Sequence, residues 1–194
     1  FIPETIGSIV YLSRNWQDMK EKVVAGFNIS CVGDDRAYSY LPSRNEDTLA
    51  DQVAKHVLEH TDANYQRYRF LDRGSDERQY CSPNIDLPVA TVMRTKYGIY
   101  PEYHTSLDDL TVISPEGLFG GYTALKHCLE VLENNLRWKV TVSCEPQLGR
   151  RGLYPTLSEK GSADRTRRMM NLLAYADGKR TLLEIAEKIE SPLW

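Results

Sequence analysis

Two apolar runs separated by a helical pattern constrain the fold of this chain most. The run VVAGFNISCVG, residues 23–33, is rich in β-branched residues and ends at a Gly-Asp-Asp turn, which is typical of a strand buried on both faces. The segment TLADQVAKHVLEH, residues 48–60, repeats its apolar residues at helical spacing, and the run LPVATVMRT, residues 87–95, predicts another strand. Strands and helices in this order, joined by polar loops, predict an α/β fold with a mostly parallel open sheet and flanking helices.

A long helix is predicted to complete this domain by covering one face of the sheet. Ser114 and Pro115 suit the amino-cap and the first helical position. The apolar residues that follow recur at helical spacing and are expected to form one buried stripe: Leu118, Tyr122, Leu125, Leu129, Leu132 and Leu136. The expected core therefore combines the strand runs with this stripe.

The composition changes after residue 144, and this change divides the chain into two predicted domains. Residues 144–162 are rich in Gly, Pro and Ser, which is typical of a linker. Two helices joined by a Gly-containing turn are predicted to follow, and Thr181 and Glu184 form a capping box at the start of the second. The sequence thus predicts an α/β domain over residues 1–144, then a linker and a small, helical, winged-helix-like unit over residues 145–194.

The charge and the cysteine content of the sequence limit which binding partners and which cellular compartment are expected. The net charge of -3 and the isoelectric point near 5.9 give no overall attraction for nucleic acid or an anionic membrane. No run of about 18 apolar residues is present, so a transmembrane helix is not expected. The four cysteines are widely spaced, which favours reduced thiols and a cytoplasmic protein, and a homo-oligomer is left open. The basic residues of the terminal helices are interpreted as a solvated face in preference to a DNA-binding surface: Arg165, Arg167, Arg168, Lys179 and Arg180.

Polar residues are predicted to gather at the carboxyl edge of the sheet, where loops converge over a rigid scaffold. Four polar stretches occupy such positions, and together they contain Glu4, Asp34, Asp35, Asp76, Glu77 and His104. A carboxylate-rich set with one imidazole suits zinc, with a further carboxylate available as a base. The alternatives are a solvated loop histidine at position 104 and a simple turn at the Asp-Asp pair. His56 and His60, four apart on the predicted helix, are assigned surface or capping roles.

Four strings of the sequence extend this interpretation. PETIGSIVYLS, CVGDDRAYSYLPSR, RGSDERQYCSPNIDLPV and PEYHTSLDD follow one another in the chain. In this order they resemble a bacterial group of aminopeptidase-like proteins, distant relatives of the two-zinc exopeptidases, that carry a carboxy-terminal winged helix. The resemblance implies a phosphorylase/aminopeptidase-like sheet, zinc as the cofactor, and a peptide or amide as the substrate. It also implies that Glu4 is the base or a ligand, that Asp76 belongs to a site-shaping loop, and that His104 is the terminal zinc ligand.

The sequence also departs from the pattern of that family. Thr5 follows Glu4 where the family has a second Glu, and Ser30 stands where the family has a ligating Asp, so Asp34 or Asp35 would have to serve. The site-shaping loop reads Ser-Asp-Glu in place of Ser-Asp-His. The family's upstream His-x-Asp string does not precede Glu4, so the chain resembles the carboxy-terminal portion of the catalytic domain and is expected to be inactive by itself.

The sequence therefore predicts a zinc-dependent, aminopeptidase-like hydrolase of peptide or amide bonds for the intact protein. Glu4 is the candidate base, and His104 with Asp34 or Asp35 is the candidate metal-binding set. Candidates for substrate contact or for shaping the site, with loop packing as the alternative, are Asp76, Glu77, Arg78, Tyr80 and Tyr103. Two rival hypotheses are a non-catalytic scaffold that binds a ligand or partner, and a regulator that acts through the winged helix.

Overall fold

The computed structural model of the chain describes residues 2–154 and 162–194. The chain folds into two compact units, Phe1–Leu129 and Glu130–Trp194. The predicted division between residues 144 and 145 stays a prediction. Residues 155–161 of the predicted linker lie outside the described residues.

An open four-stranded sheet is the framework of the first unit. Its strands are β1 (Gly26–Asn28), β2 (Ser39–Leu41), β3 (Gln66–Arg67) and β4 (Val89–Met93), in the spatial order β1-β4-β2-β3. β1 and β4 pair in parallel, as do β2 and β3, whereas β2 and β4 are antiparallel. The prediction of an α/β fold with an open sheet is confirmed; the sheet is mixed, and two of its three strand pairings are parallel. β4 is buried at every position and lies between two other strands.

Three helices of the first unit precede or flank β4. They are α1 (Ile6–Lys22), α2 (Leu49–Thr61) and the short α3 (Glu77–Tyr80). α1 packs through Leu12 on a cluster that includes Cys81, Leu87 and Val89. α2 packs on β4 and β2 and buries its apolar face, as its helical spacing predicts.

The start of α2 is fixed by the fully buried carboxylate of Asp51. It accepts hydrogen bonds from the hydroxyl of Tyr40 (2.8 Å), the amide and hydroxyl of Ser43 (2.8 and 2.5 Å), and the amide and hydroxyl of Thr48 (2.9 and 2.7 Å). Burial by itself raises the pKa of Asp51, but these donors outweigh burial and hold the pKa below its ordinary value of 3.8.

α4 (Pro115–Asn134) forms as predicted, but the prediction of its buried stripe is wrong. Leu118, Tyr122 and Leu129 are 48%, 62% and 58% exposed. The positions that α4 buries in the first unit carry small side chains or none: Gly117, Gly121, Ala124 and Cys128.

The glycines of α4 allow a very close approach to the chain that follows β1. A Cβ atom at Gly117 would lie 2.1 Å from the carbonyl oxygen of Gly33, and one at Gly121 would lie 2.5 Å from that of Val32. Leucines on this face would hold the helix farther away. The small residues therefore decide which face of α4 turns inward.

The second unit contains α5 (Ser162–Tyr175) and α6 (Leu182–Lys188), as the sequence predicts. The capping box is present, because the amide of Thr181 donates to Glu184 (2.6 Å) and the amide of Glu184 donates to the hydroxyl of Thr181 (3.3 Å). An antiparallel bridge joins Lys139 to Asp177, and a 3-10 turn covers Gly149–Arg151.

Neither membrane spans nor disulfides occur in the part of the chain that the structure describes. No helix there is both long and apolar enough to cross a membrane. Cys31, Cys81, Cys128 and Cys144 are free thiols. Burial raises the pKa of Cys81 to about 11 and that of Cys128 to about 12, so these two groups remain protonated near neutral pH.

Replacing Gly117 with Ala is expected to destabilise the chain by about 1–3 kcal/mol, although Ala favours helices, because its methyl group would collide with the backbone at Gly33. The matched control is Leu129→Ala on the exposed face, where the change should stay within about 0.5 kcal/mol. Urea unfolding of both variants measures the difference. A neutral Gly117→Ala beside a costly Leu129→Ala would show that α4 packs through its leucines.

The Asp51→Asn variant should change how stability depends on pH. The folded pKa of Asp51 lies below the unfolded one, so the ionised group stabilises the fold above about pH 4 and this contribution is lost as the pH falls through the folded pKa. Urea unfolding between about pH 6 and about pH 2 should show a smaller acid-induced loss in the variant than in the wild type. If the free energy of unfolding fell by the same amount with pH in both proteins, ionisation of Asp51 would not contribute to the pH dependence of stability.

Candidate functional site

The carboxyl ends of β1 and β4 lie side by side because these strands are parallel neighbours. The segments that leave them, residues 29–36 and 94–104, therefore start from one edge of the sheet, as predicted. The 73–78 loop, which runs into the first residues of α3, joins this edge through hydrogen bonds of Glu77, and the start of α1 joins that loop through Asp76.

Glu77 is the fully buried centre of this edge. Its Oε1 accepts hydrogen bonds from the amides of Gly74 (2.7 Å) and Ser75 (2.9 Å) and from the hydroxyl of Tyr97 (2.7 Å). Its Oε2 accepts one from Nδ2 of Asn28 (3.0 Å). Burial raises the pKa of Tyr97, and the negative charge of Glu77 raises it further. The phenol therefore stays protonated and donates its hydrogen bond to Glu77. Glu77 thereby ties the 73–78 loop to the end of β1 and to the segment after β4.

Glu4 stands at the rim of the edge, and the residue after it is firmly held. The amide of Thr5 donates to Oδ1 of Asp76 (2.6 Å), and Nη2 of Arg78 donates to the hydroxyl of Thr5 (2.8 Å). Thr5 has a φ of 60°, a conformation that β-branched residues rarely adopt. Glu4 itself is exposed, and its carboxylate accepts no hydrogen bond from the residues that the structure describes. Asp76 and Arg78 thus fix the backbone beside Glu4 and leave its carboxylate open.

The two aspartates after β1 have different environments. Asp34 is buried, and its Oδ1 accepts from the hydroxyl of Thr95 (2.5 Å) and the amide of Arg36 (3.1 Å), while its Oδ2 accepts from the amide of Thr95 (2.9 Å). Asp35 is exposed and accepts from the hydroxyl of Ser114 (2.9 Å), just before α4. Asp34 therefore joins the segment after β1 to the segment after β4, and Asp35 is the more accessible carboxylate.

Tyr103 packs partly buried at this edge, within an aromatic group. Its ring centroid lies 6.4 Å from that of Tyr97, 5.5 Å from that of Tyr100 and 3.9 Å from that of His104. The Tyr103 and His104 rings are stacked, with 15° between their planes. His104 is exposed and has a φ of 58°.

Charged groups from several segments act on Tyr103. Burial raises its pKa, and the charges of Cys31, Glu4 and Asp108 raise it further, while Arg78 lowers it. The open carboxylate of Glu4 and the guanidinium of Arg78 are thus within electrostatic range of the tyrosine on which His104 stacks. Of the other predicted site residues, Tyr80 packs on the cluster of Leu12 and Cys81.

The predicted metal-binding residues do not form a complete zinc site. Among residues 2–154 and 162–194, no group of three or more His, Cys, Asp or Glu could hold a metal ion. The oxygens of Asp34 already accept three hydrogen bonds, which leaves His104 and Asp35 as the accessible members of the set. Zinc prefers four ligands, so two from this chain do not suffice.

Sequence reasoning missed four residues that organise this edge. Asn28 and Tyr97 bind Glu77, and Arg36 binds Glu102 in a bidentate ion pair. Asn28 and Ser30 are the polar residues of a mainly apolar run, and this is the one sequence signal that could have identified Asn28. The partners of Arg36 and Tyr97 are distant in sequence, so no local pattern indicates them.

The first unit has an α/β fold with an open sheet, and solved structures of aminopeptidase-like proteins are similar to it. The solved structure of an aminopeptidase from Aneurinibacillus sp. strain AM-1 shares the fold, with a TM-score of 0.50 and 20% identity over 61% of this chain and 27% of that chain. The chain belongs to the family described as a domain of unknown function, DUF4910, whose model matches residues 1–135. A winged helix-turn-helix model matches residues 136–194.

Two relatives come from Clostridium acetobutylicum. One is 39% identical over 192 residues and is named "Putative polysaccharide biosynthesis protein with aminopeptidase-like domain"; the match covers 97% of this chain and 43% of that protein. The other is a crystal structure of a "putative peptidase", with a TM-score of 0.85 and 36% identity over 98% of this chain and 42% of that chain. The resemblance to aminopeptidase-like proteins with a winged helix is confirmed. The chain spans less than half the length of these two relatives.

Replacing Glu77 with Gln should test the centre of the edge. The amide would place a donor where the carboxylate accepts from four donors, so at least one buried donor would lose its partner, at a cost of about 1–3 kcal/mol. Urea unfolding measures this loss, with Glu21→Gln on the exposed end of α1 as the control. Equal stabilities of the two variants would mean that Glu77 does not hold the edge together.

Proposed function

We propose that the whole protein is an aminopeptidase-like hydrolase of peptide or amide bonds and that this chain supplies part of its active site. The observation that carries the proposal is the open carboxylate of Glu4 at the carboxyl edge of the sheet. Asp76 and Arg78 hold the adjacent Thr5 in a strained conformation. Strain of this kind costs of order 1–3 kcal/mol and persists only where the surroundings impose it, which is frequent at active sites.

Each side chain of the edge has a proposed role in binding or proton transfer. Glu4 is the general base, which takes the proton of the water that attacks the substrate carbonyl. Tyr103 has a raised pKa and so keeps its proton, which allows its hydroxyl to donate a hydrogen bond to the substrate. Asp76, Glu77 and Arg78 shape the site through the contacts described above, and Tyr80 does so by packing.

Zinc is proposed as a cofactor of the whole protein only. His104 and Asp35 are the ligands that the described residues would contribute, and the remaining ligands would have to come from outside residues 2–154 and 162–194. Asp34 is the less suitable of the two aspartates because Thr95 and Arg36 already donate to its carboxylate. A cytoplasmic location and a peptide or small amide as the substrate complete the proposal.

A non-catalytic protein that binds a ligand or partner is the second candidate. Two observations support it. Thr95 and Arg36 already donate hydrogen bonds to Asp34, and Ser30 stands where the two-zinc exopeptidases have a ligating Asp. A regulator that acts through the winged helix remains a further proposal for residues 136–194.

Glu4→Gln in the whole protein should lower the turnover of aminoacyl or peptide amides by about 10²–10⁴-fold, because the amide cannot accept the proton. Its zinc content should equal that of the wild type, and Glu21→Gln on α1 should leave turnover unchanged. Full activity of Glu4→Gln would contradict the role of Glu4. A zinc-free wild type that hydrolyses no substrate of a broad panel would favour the non-catalytic candidate.

The 194-residue chain by itself is expected to show no chelator-sensitive hydrolysis, because its described residues do not complete a metal site. Release of chromophore from aminoacyl substrates should match that of buffer. Turnover that a chelator abolishes and zinc restores would show that the ligands lie elsewhere in this chain.

A further inference from the structure

We infer that the ion pair of Arg36 and Glu102, the Arg36–Glu102 clamp, positions the imidazole of His104 over Tyr103. The two residues are 66 positions apart and join the segment after β1 to the loop that carries His104. The relevance of the clamp to catalysis rests on the proposed function, whereas its effect on the position of His104 does not.

The geometry of the clamp is that of a strong, directional ion pair. Nη1 of Arg36 donates to Oε2 of Glu102 and Nη2 donates to Oε1, both at 2.9 Å. Two parallel bonds between planar groups fix orientation as well as distance, which a single contact does not. The pair is only partly shielded, with the side chains 42% and 24% exposed. Exposed pairs contribute little to stability, so we assign this one a role in geometry.

The clamp is anchored on its β1 side by a buried group. The backbone amide of Arg36 donates to Oδ1 of Asp34 (3.1 Å). Asp34 is in turn held by the amide and the hydroxyl of Thr95, beyond the end of β4. The guanidinium of Arg36 therefore projects from a part of the backbone that two strands hold in place.

On its other side the clamp holds the turn that contains His104. The carbonyl oxygen of Glu102 accepts from the amide (3.0 Å) and the hydroxyl (2.7 Å) of Thr105, so both flanks of His104 are linked to Glu102. His104 has a φ of 58°, in the left-handed region that costs a non-glycine residue free energy. A turn in this conformation needs an external contact to persist, and the carboxylate of Glu102 receives that contact from Arg36.

A series of ring contacts extends from the clamp to the imidazole. The guanidinium carbon of Arg36 lies 5.8 Å from the ring centroid of Tyr100. Tyr100 meets Tyr103 edge to face, and Tyr103 stacks on His104. Loss of the clamp would therefore release both the backbone of the turn and the aromatic surface that supports the imidazole.

The test measures the position of His104 in the 194-residue chain by NMR. Stacking on Tyr103 displaces the ring-proton signals of His104 upfield, and this displacement is the readout. The chain has four histidines, so the signals are assigned with a His104→Gln variant. Arg36→Lys keeps the charge but not the two parallel bonds, and Arg36→Met and Glu102→Gln remove the ion pair.

The matched control is the ion pair of Arg67 and Glu59, which is exposed and makes one contact of 2.6 Å away from this loop. Arg67→Lys and Arg67→Met should leave the His104 signals in place. Arg36→Met and Glu102→Gln should remove most of the upfield displacement, and Arg36→Lys should remove less. All variants should unfold at nearly the wild-type temperature, which separates positioning from general stability.

Each outcome decides the inference independently of the proposed function. Unchanged His104 signals in Arg36→Met would overturn the inference that the clamp positions His104. Changes in the Arg67 variants as large as those in the Arg36 variants would also overturn it. Loss of the upfield displacement in Arg36→Met, together with a lower kcat/KM of this variant in the whole protein, would support both the clamp and the hydrolase. Loss of the upfield displacement in Arg36→Met, together with a wild-type whole protein that lacks activity, would support the clamp and contradict the proposed function.

Discussion

The buried carboxylate of Glu77 is the interaction on which the rest of this edge depends. Taking a carboxylate out of water is costly unless hydrogen-bond donors surround it. Its donors come from Asn28 in β1, from the 73–78 loop and from Tyr97 beyond β4, so all three must meet for the group to be satisfied. The parallel pairing of β1 and β4 brings two of these sources together, and the loop completes the set.

Two further sets of contacts hold the other segments of this edge, one at the start of α1 and one after β1. Asp76 precedes Glu77 and Arg78 follows it, and both hold Thr5 beside the open carboxylate of Glu4. Asp34 holds the segment from which Arg36 reaches Glu102, next to His104. A structural carboxylate thus supports the segment next to each proposed reactive residue: the partly buried Asp76 supports the backbone beside Glu4, and the buried Asp34 supports the segment that contacts the turn of His104. This arrangement supports a site whose reactive groups are exposed while their supports are fixed.

The sequence was sufficient for β1 and β4 within its two apolar runs, for α2, for the capped helix near the end of the chain, and for the gathering of polar groups at one edge. It did not identify the short strands β2 and β3. It failed at α4, where helical spacing predicts a buried stripe of large apolar residues and the small residues on another face of the helix are the ones that are buried. Close approach of Gly117 and Gly121 to the backbone at residues 32–34 decides the orientation, and periodicity does not contain that information. The engagement of Asp34 also escaped prediction, because its donor Thr95 is 61 residues away in sequence. Position at the end of a predicted strand was enough to include Glu4 in the polar set, but its role as a base came only from the resemblance.

Anomalous scattering at the zinc absorption edge, from crystals of the whole protein, tests the central claim most directly. The account predicts a zinc peak in contact with the imidazole of His104 and near the open carboxylate of Glu4, with Asp34 still bound to Thr95. A peak coordinated by Asp34, or a fully loaded protein with no zinc near His104, would contradict it.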